Sequence, residues 1–141
     1  MMTALVIDAS LALKLVLPND QQSDIKNWIN AQQLQQTRFY APTLWLYEIT
    51  SAITKAIHFE IITSTEGELL LASLQQLNIE LVIPNSALTK SAFEWTLRLK
   101  RATAYDSFYL ALAQHLNAPL WTADKRLYNA VNQSWVCLIG K

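Results

Sequence analysis

The chain has 141 residues, 52% hydrophobic and 16% charged, and its eleven basic and eleven acidic side chains cancel to a net charge of zero. This composition excludes a disordered chain, and it excludes a general attraction to polyanions, so contact with nucleic acid would have to come from local patches. The length suits one domain, 1–141, large enough to bury roughly 68% of the surface its unfolded chain exposes.

Residues 3–8 form an apolar run bounded by polar signals and predict a short buried strand. Ser10 can cap a helix running to about Leu17, where Pro18 stops it. From about Asp20 to Gln36 the chain is polar with spaced apolar residues (Ile25, Trp28, Ile29, Leu34), the pattern of a surface helix. A second strand is expected over Arg38 to Ala41. Pro42 then suits the first turn of a helix to about His58. Thr63 and Glu66 form a capping box for a helix to about Leu77, and Ile79 to Ile83 reads as a strand before Pro84. Asn85 or Ser86 caps a helix to about Lys100, and another helix spans about Ala104 to Leu116. A strand Leu120–Thr122, a short helix from Lys125 and a last strand from Trp135 to Ile139 complete the chain. Strands alternating with helices imply an α/β fold with a parallel sheet covered on both faces. With only two glycines there is no phosphate-cradling glycine loop, which argues against Rossmann and P-loop nucleotide sites.

Four acids stand out by context. Ala4-Leu5-Val6-Ile7 stops on Asp8, and Leu120-Trp121-Thr122-Ala123 stops on Asp124. Glu48 lies inside Leu44-Trp45-Leu46-Tyr47-Glu48-Ile49 and shares a helical stripe with Leu44, Ser51, Ala52 and Lys55; Asp106 lies inside Ala104-Tyr105-Asp106-Ser107-Phe108-Tyr109-Leu110. A carboxylate beside a hydrophobic core is costly unless it is paired or metal-bound. In open parallel sheets ligands bind outside the carboxyl ends of the strands, where Asp8 and Asp124 fall. Each acid has a plain structural role available: Asp8, Asp124 and Asp106 as helix caps, Glu48 as a solvent-facing acid. Taken together, four acids from distant segments suggest a shared site for a hard divalent cation, which takes oxygen ligands and retains water.

The motifs Val6-Ile7-Asp8-Ala9-Ser10 with Leu17-Pro18, Ala41-Pro42 with Leu46-Tyr47-Glu48, Ala104-Tyr105-Asp106-Ser107 with Tyr109-Leu110-Ala111-Leu112-Ala113, and Ala118-Pro119-Leu120 with Thr122-Ala123-Asp124 and Arg126-Leu127 occur in order along the whole chain. In this the sequence resembles PIN-domain proteins, and more closely the VapC-type toxins of prokaryotic toxin–antitoxin pairs. The resemblance implies a three-layer α/β/α fold around a parallel sheet, a Mg2+- or Mn2+-dependent endoribonuclease, a homodimer, and inhibition by a small antitoxin protein. It carries the acidic quartet, catalytic and metal-binding, onto Asp8, Glu48, Asp106 and Asp124. Ser10 and Thr122 match hydroxyl positions that support the site. Ser51 stands where an asparagine is common in the family, a shorter hydrogen-bonding group.

The implied chemistry is metal-assisted phosphodiester hydrolysis. The basic clusters Arg98, Lys100 and Arg101, and Lys125 and Arg126, flank the acids and are candidates for RNA phosphates; their plain reading is a set of solvated helix ends. His58 and His115 are expected at helix ends, without a catalytic role. Trp28, Trp45 and Trp95 are expected in the core or at an interface, and an exposed Trp28 would favour a dimer or antitoxin contact. Cys137, the single cysteine, is expected to be buried in the last strand and fits a reducing compartment. The N-terminus lacks the basic start of a secretory signal, and no stretch reaches the ~18–20 apolar residues of a membrane span, so the expectation is a soluble, cytoplasmic protein. Two other classes compete. An aspartyl-phosphate chemistry at Asp8 lacks the second acid it needs, because Ser10 stands two residues on. A PIN-fold module that sequesters RNA or a protein partner without cleaving is the non-enzymatic alternative.

Overall fold

The computed structural model describes residues 3–139, in element order β1 (Ala4–Ile7), α1 (Ala9–Val16), α2 (Gln22–Leu34), β2 (Arg38–Pro42), α3 (Leu44–His58), α4 (Ser64–Gln75), β3 (Glu80–Val82), α5 (Ser86–Leu99), α6 (Tyr105–Leu116), β4 (Leu120–Thr122), α7 (Lys125–Val131) and β5 (Val136–Leu138). The strands make one parallel sheet in the order β3-β2-β1-β4-β5, with Ala4 opposite Arg38, Val6 opposite Leu120, Tyr40 opposite Glu80 and Leu120 opposite Val136. This is the three-layer α/β/α arrangement expected from the alternating elements.

Side-chain alternation along the strands decides which helices cover which face. Leu5, Ile7 and Phe39 point to one face, where Leu11 of α1 and Ile25 and Ile29 of α2 close over them. Val6, Ala41 and Leu120 belong to the other, larger core with Trp45 and Ile49 of α3, Ala92 and Trp95 of α5, and Leu110 and Ala113 of α6. Each fully buried aliphatic or aromatic side chain there contributes about 1.5–3 kcal/mol by leaving water. Where α4 crosses α3, Gly67 permits the approach: a Cβ there would stand 2.6 Å from Cδ1 of Ile57 and 3.2 Å from Cγ2 of Ile53.

Several local expectations need correction. α1 begins one residue after Asp8, whose Oδ1 accepts from the Leu11 amide at 3.0 Å, so Asp8 is the cap and Ser10 lies inside the helix. Pro42 ends β2, and α3 starts at Leu44 behind Thr43. β1 pairs with β2 only as far as Val6 opposite Tyr40, so the amide hydrogen that proline lacks falls beyond that ladder. Asp106 does not cap α6; it is the helix's second residue, behind Ala104. The Thr63–Glu66 capping box forms as expected, and Asn85 rather than Ser86 caps α5. Trp45 and Trp95 are buried. Trp28 is half-buried against Trp121, with ring centroids 4.8 Å apart, and against Phe39, so it serves helix-on-sheet packing rather than an exposed contact. Cys137 is half-buried in β5.

Candidate active site

In the order β3-β2-β1-β4-β5 the direction of winding reverses between β1 and β4. Outside the carboxyl ends of two such strands the connections diverge and leave a crevice. Asp8 follows β1 and Asp124 follows β4, so both acids stand at that point. α3 and α6 pack over the same end of the sheet and bring Glu48 and Asp106 to it. The result is a cleft of about 450 Å3 lined by Asp8, Ser10, Glu48, Ser51, Asp106 and Asp124, together with Leu13, Lys55 and Tyr109. All four acids singled out in the sequence therefore share one cleft, although they are separated by as much as the span from residue 8 to residue 124.

The two strand-end acids are built into the backbone. Asp8 is 5% exposed. Its Oδ1 accepts from the Ser10 hydroxyl at 2.7 Å as well as from the Leu11 amide, and its Oδ2 accepts from the Thr122 hydroxyl. Both hydroxyls are themselves held by the β4–α7 turn: the Ala123 amide donates to Ser10 Oγ at 3.1 Å, and the Asp124 amide to Thr122 Oγ1 at 3.0 Å. Ser10 and Thr122 thus splice the end of β1 to the end of β4 through Asp8. Asp124 in turn caps α7 through the amides of Arg126 and Leu127. For Asp8 and Asp124 the capping role and the cleft position coexist, because a cap uses some of a carboxylate's lone-pair sites and leaves others open.

The two helical acids are held by side chains instead. Tyr109, one turn after Asp106 on α6 and buried, donates its hydroxyl to Glu48 Oε1 at 2.6 Å. Arg101 donates to Asp106 Oδ2 at 2.9 Å. That pair depends on Lys100, which ends α5 at φ 56° in the left-handed region and turns the chain back toward α6. Lysine takes that conformation at some cost, so the turn is held by its surroundings.

Electrostatics tie the acids together. Burial pushes the Asp8 carboxyl up to about 6, against the pull of the Thr122, Ser10 and Leu11 hydrogen bonds, and the Asp106 charge pushes the same way. Burial also raises Glu48, opposed by the Tyr109 hydroxyl and assisted by Asp106. Asp106 is raised by burial and by Asp124, against Arg101. Asp106 is thus coupled to each of the other three. Tyr109 is raised by burial and then by the Glu48 charge, which keeps its hydroxyl a donor. Carboxylates that repel one another while partly desolvated are a natural place for a cation.

The donor set is all oxygen, which suits a hard divalent ion. Among the described residues, however, no three His, Cys, Asp or Glu side chains converge closely enough to hold an ion as a group. The fit is therefore to an ion of the magnesium kind, which takes one or two carboxylates directly and reaches the others through its waters.

The basic clusters behave differently from the acids. None of Arg98, Lys100, Arg101, Lys125 and Arg126 lines the cleft. The guanidinium of Arg98 lies over the Trp95 ring, 4.3 Å from its centroid, Lys100 makes the turn, and Arg101 is paired with Asp106. Lys125 and Arg126 are exposed at the start of α7. His58 and His115 are exposed near the ends of α3 and α6, outside the cleft. Among the described residues the cation that does line it is Lys55, seven residues after Glu48 on α3. In the sequence Lys55 stands on the Glu48 stripe and Tyr109 three residues after Asp106, and neither position by itself signals a part in the site.

Comparison with known proteins agrees with this geometry. The PIN domain family matches residues 5–132. "Ribonuclease VapC12" of Mycobacterium tuberculosis is 30% identical over 123 residues, 87% of this chain and 88% of the relative. "VapC ribonuclease Mb0985" of Mycobacterium bovis is 32% identical over 123 residues, 87% of each chain. Among solved structures, a toxin-antitoxin complex from Klebsiella pneumoniae superposes with a TM-score of 0.68 at 12% identity, covering 94% of both chains, and VapBC2 from Rickettsia felis, bound to a promoter DNA fragment, with 0.68 at 12%, covering 96% and 97%. At that identity the two structures speak to the fold alone. The sequence match over most of the chain, with the fold and the cleft, establishes that this chain belongs to the PIN-domain family, among the VapC proteins.

Proposed function

We propose that the protein is a Mg2+- or Mn2+-dependent endoribonuclease, the toxin of a toxin–antitoxin pair, restrained by a small antitoxin and working as a cytoplasmic homodimer. The observation that carries this reading is the cleft itself: four carboxylates from four distant segments, at the switch point of the sheet, in a chain whose relatives are named ribonucleases. No helix among the described residues is long and apolar enough to cross a membrane, in keeping with a soluble toxin.

The reaction is hydrolysis of a phosphodiester: a water oxygen forms a bond to phosphorus, one ester bond to phosphorus breaks, and the leaving oxygen takes up a proton. A bound divalent cation supplies a water of lowered pKa and a counter-charge for the phosphoryl oxygens. Asp8, Asp106 and Asp124 would hold that cation, directly or through water. Glu48, fixed by the Tyr109 hydroxyl, completes the set and orients the attacking water as an acceptor. Ser10 and Thr122 position Asp8, and Ser51 faces the same cleft. Lys125 and Arg126, exposed beside Asp124, meet substrate phosphates, as does Lys100, exposed at the end of α5. Arg101 serves as the partner of Asp106, and Arg98 is given to Trp95.

The test is cleavage of a labelled total-RNA pool by the purified protein with magnesium or manganese, beside a chelator control and Asp106→Asn. Discrete fragments are expected that vanish with chelator and weaken by more than about 100-fold in the variant, since losing a ligand costs more than losing its outer support. A folded, metal-supplied protein that leaves every RNA intact would move the assignment to the module that binds without cutting.

A further inference from the structure

Beside the acid cleft lies a second concavity of opposite character. It measures about 410 Å3 and is lined by Lys14, Lys125, Asn129, Gln21 and Tyr128 over an apolar floor of Leu138 and Ile139. Among the described residues, the acid cleft presents four carboxylates and one lysine; this pocket presents two lysines and no acid.

The two share walls. Ala123 and Lys125 face the pocket while Asp124 between them faces the cleft. On α1, Ser10 and Leu13 line the cleft and Lys14 lines the pocket, four residues after Ser10. Leu13 and Lys14 are consecutive, so the two linings meet along α1 and a strand leaving the acids passes directly from one concavity into the other. Lys14 is also held in place: its ammonium donates to Gln21 Oε1 at 2.8 Å, a neutral acceptor, and among the described residues it is in no ion pair. A half-buried lysine fixed by an amide, lining one concavity with a second lysine, is arranged for an anion.

We propose that this pocket is a substrate subsite, taking the RNA nucleotide next to the scissile bond. Lys14 and Lys125 hold its phosphate, and the Asn129 amide and the apolar floor receive its base. The proposal rests on the ribonuclease reading and adds to it the direction in which the strand leaves the acids: toward α7 and β5. It also gives the site a source of affinity that does not depend on the metal, since a polyanion approaching four carboxylates needs fixed positive charge close by.

The test uses a labelled twelve-nucleotide single-stranded RNA of mixed sequence, with Asp106→Asn as background to prevent cleavage. Dissociation constants are measured by fluorescence anisotropy over a range of KCl with magnesium present. Lys14→Gln with Lys125→Gln is expected to weaken binding about tenfold and to reduce the slope of log K against log salt by about 0.7, the release expected for one single-strand phosphate. Lys14→Arg with Lys125→Arg keeps the charge and is expected to restore the slope, which a merely structural lysine pair would have no reason to do. Thermal melts of each variant confirm the fold. Unchanged affinity and slope in the glutamine pair, in a protein whose parent cleaves the total-RNA pool, overturns the subsite alone. A parent that neither binds nor cleaves RNA overturns the reading on which the subsite rests.

Discussion

The acids that end strands and the acids that ride on helices reach the same cleft by different means. Asp8 and Asp124 are fixed by backbone: each caps the helix that follows it, and the Ser10 and Thr122 hydroxyls lock Asp8 to the β4–α7 turn. Glu48 and Asp106 cap nothing and owe their positions to one side chain each, Tyr109 and Arg101. The difference teaches that the cleft has a rigid half and an adjustable half. The rigid half has folding work to do whether or not metal is present; each acid of the adjustable half hangs on a single side-chain contact that one substitution removes.

The largest effect that would break or sharpen this contrast concerns Asp8. Its carboxyl titrates near 3.8 when unfolded and at about 6 when folded. Between those values the folded chain keeps a proton that the unfolded chain has lost, so stability falls as pH rises through that window. The full cost, about 3 kcal/mol, is in place above pH 6. Asp8→Asn keeps an oxygen for the Leu11 amide and removes the charge. Chelated Asp8→Asn should therefore melt about 5–10 °C above the parent at pH 7.5, with the gap closing toward pH 4.5, while RNA cleavage is lost. A variant that melts at or below the parent at pH 7.5 would mean that hydrogen bonds, not buried charge, dominate at this residue. Metal should restore the parent's melting point and leave that of the variant nearly unmoved, because a ligand stabilises only the state that binds it.

How much of this was legible in the sequence follows the same division. β1 and β4 announced themselves as apolar runs ending on aspartate, and the end of a parallel strand is where a site forms, so Asp8 and Asp124 could be placed from pattern alone. Glu48 and Asp106 were visible as acids in apolar stretches, and the family resemblance joined them to the others. What could not be read was the wiring. That Tyr109 holds Glu48 depends on the packing of α6 against α3, a contact 61 residues apart in the chain. That Arg101 is spent on Asp106 depends on a left-handed lysine, a conformation sequence does not advertise. The basic cluster at residues 98–101 looked like one patch and resolves into a stacked arginine, a turn and an ion pair. Pro42 misled for a related reason: proline is welcome both at a helix start and past the end of a sheet ladder, and only pairing decides between them.

A smaller effect tests the adjustable half. Tyr109→Phe removes one hydroxyl from a residue otherwise buried in the core, so folding should change little beyond about 1 kcal/mol. Cleavage, or affinity for manganese, should fall about tenfold, the usual consequence of losing an outer partner of a metal-site carboxylate. Stability lost with cleavage intact would reassign Tyr109 to the core alone.

The smallest difference lies within the rigid half. Asp124 has two parts to play, and two substitutions separate them. Asp124→Asn retains a side-chain oxygen to accept from the Arg126 and Leu127 amides, whereas Asp124→Ala leaves both amides without it. The asparagine variant should therefore melt with the parent, and the alanine variant should lose about 1 kcal/mol, the ordinary value of a helix cap. Both should be equally poor at cleaving RNA, because the charge is absent from each. If the asparagine variant cleaves well, the carboxylate of Asp124 is a cap that happens to face the cleft, and the working set reduces to the three acids that burial and mutual repulsion already mark: Asp8, Glu48 and Asp106.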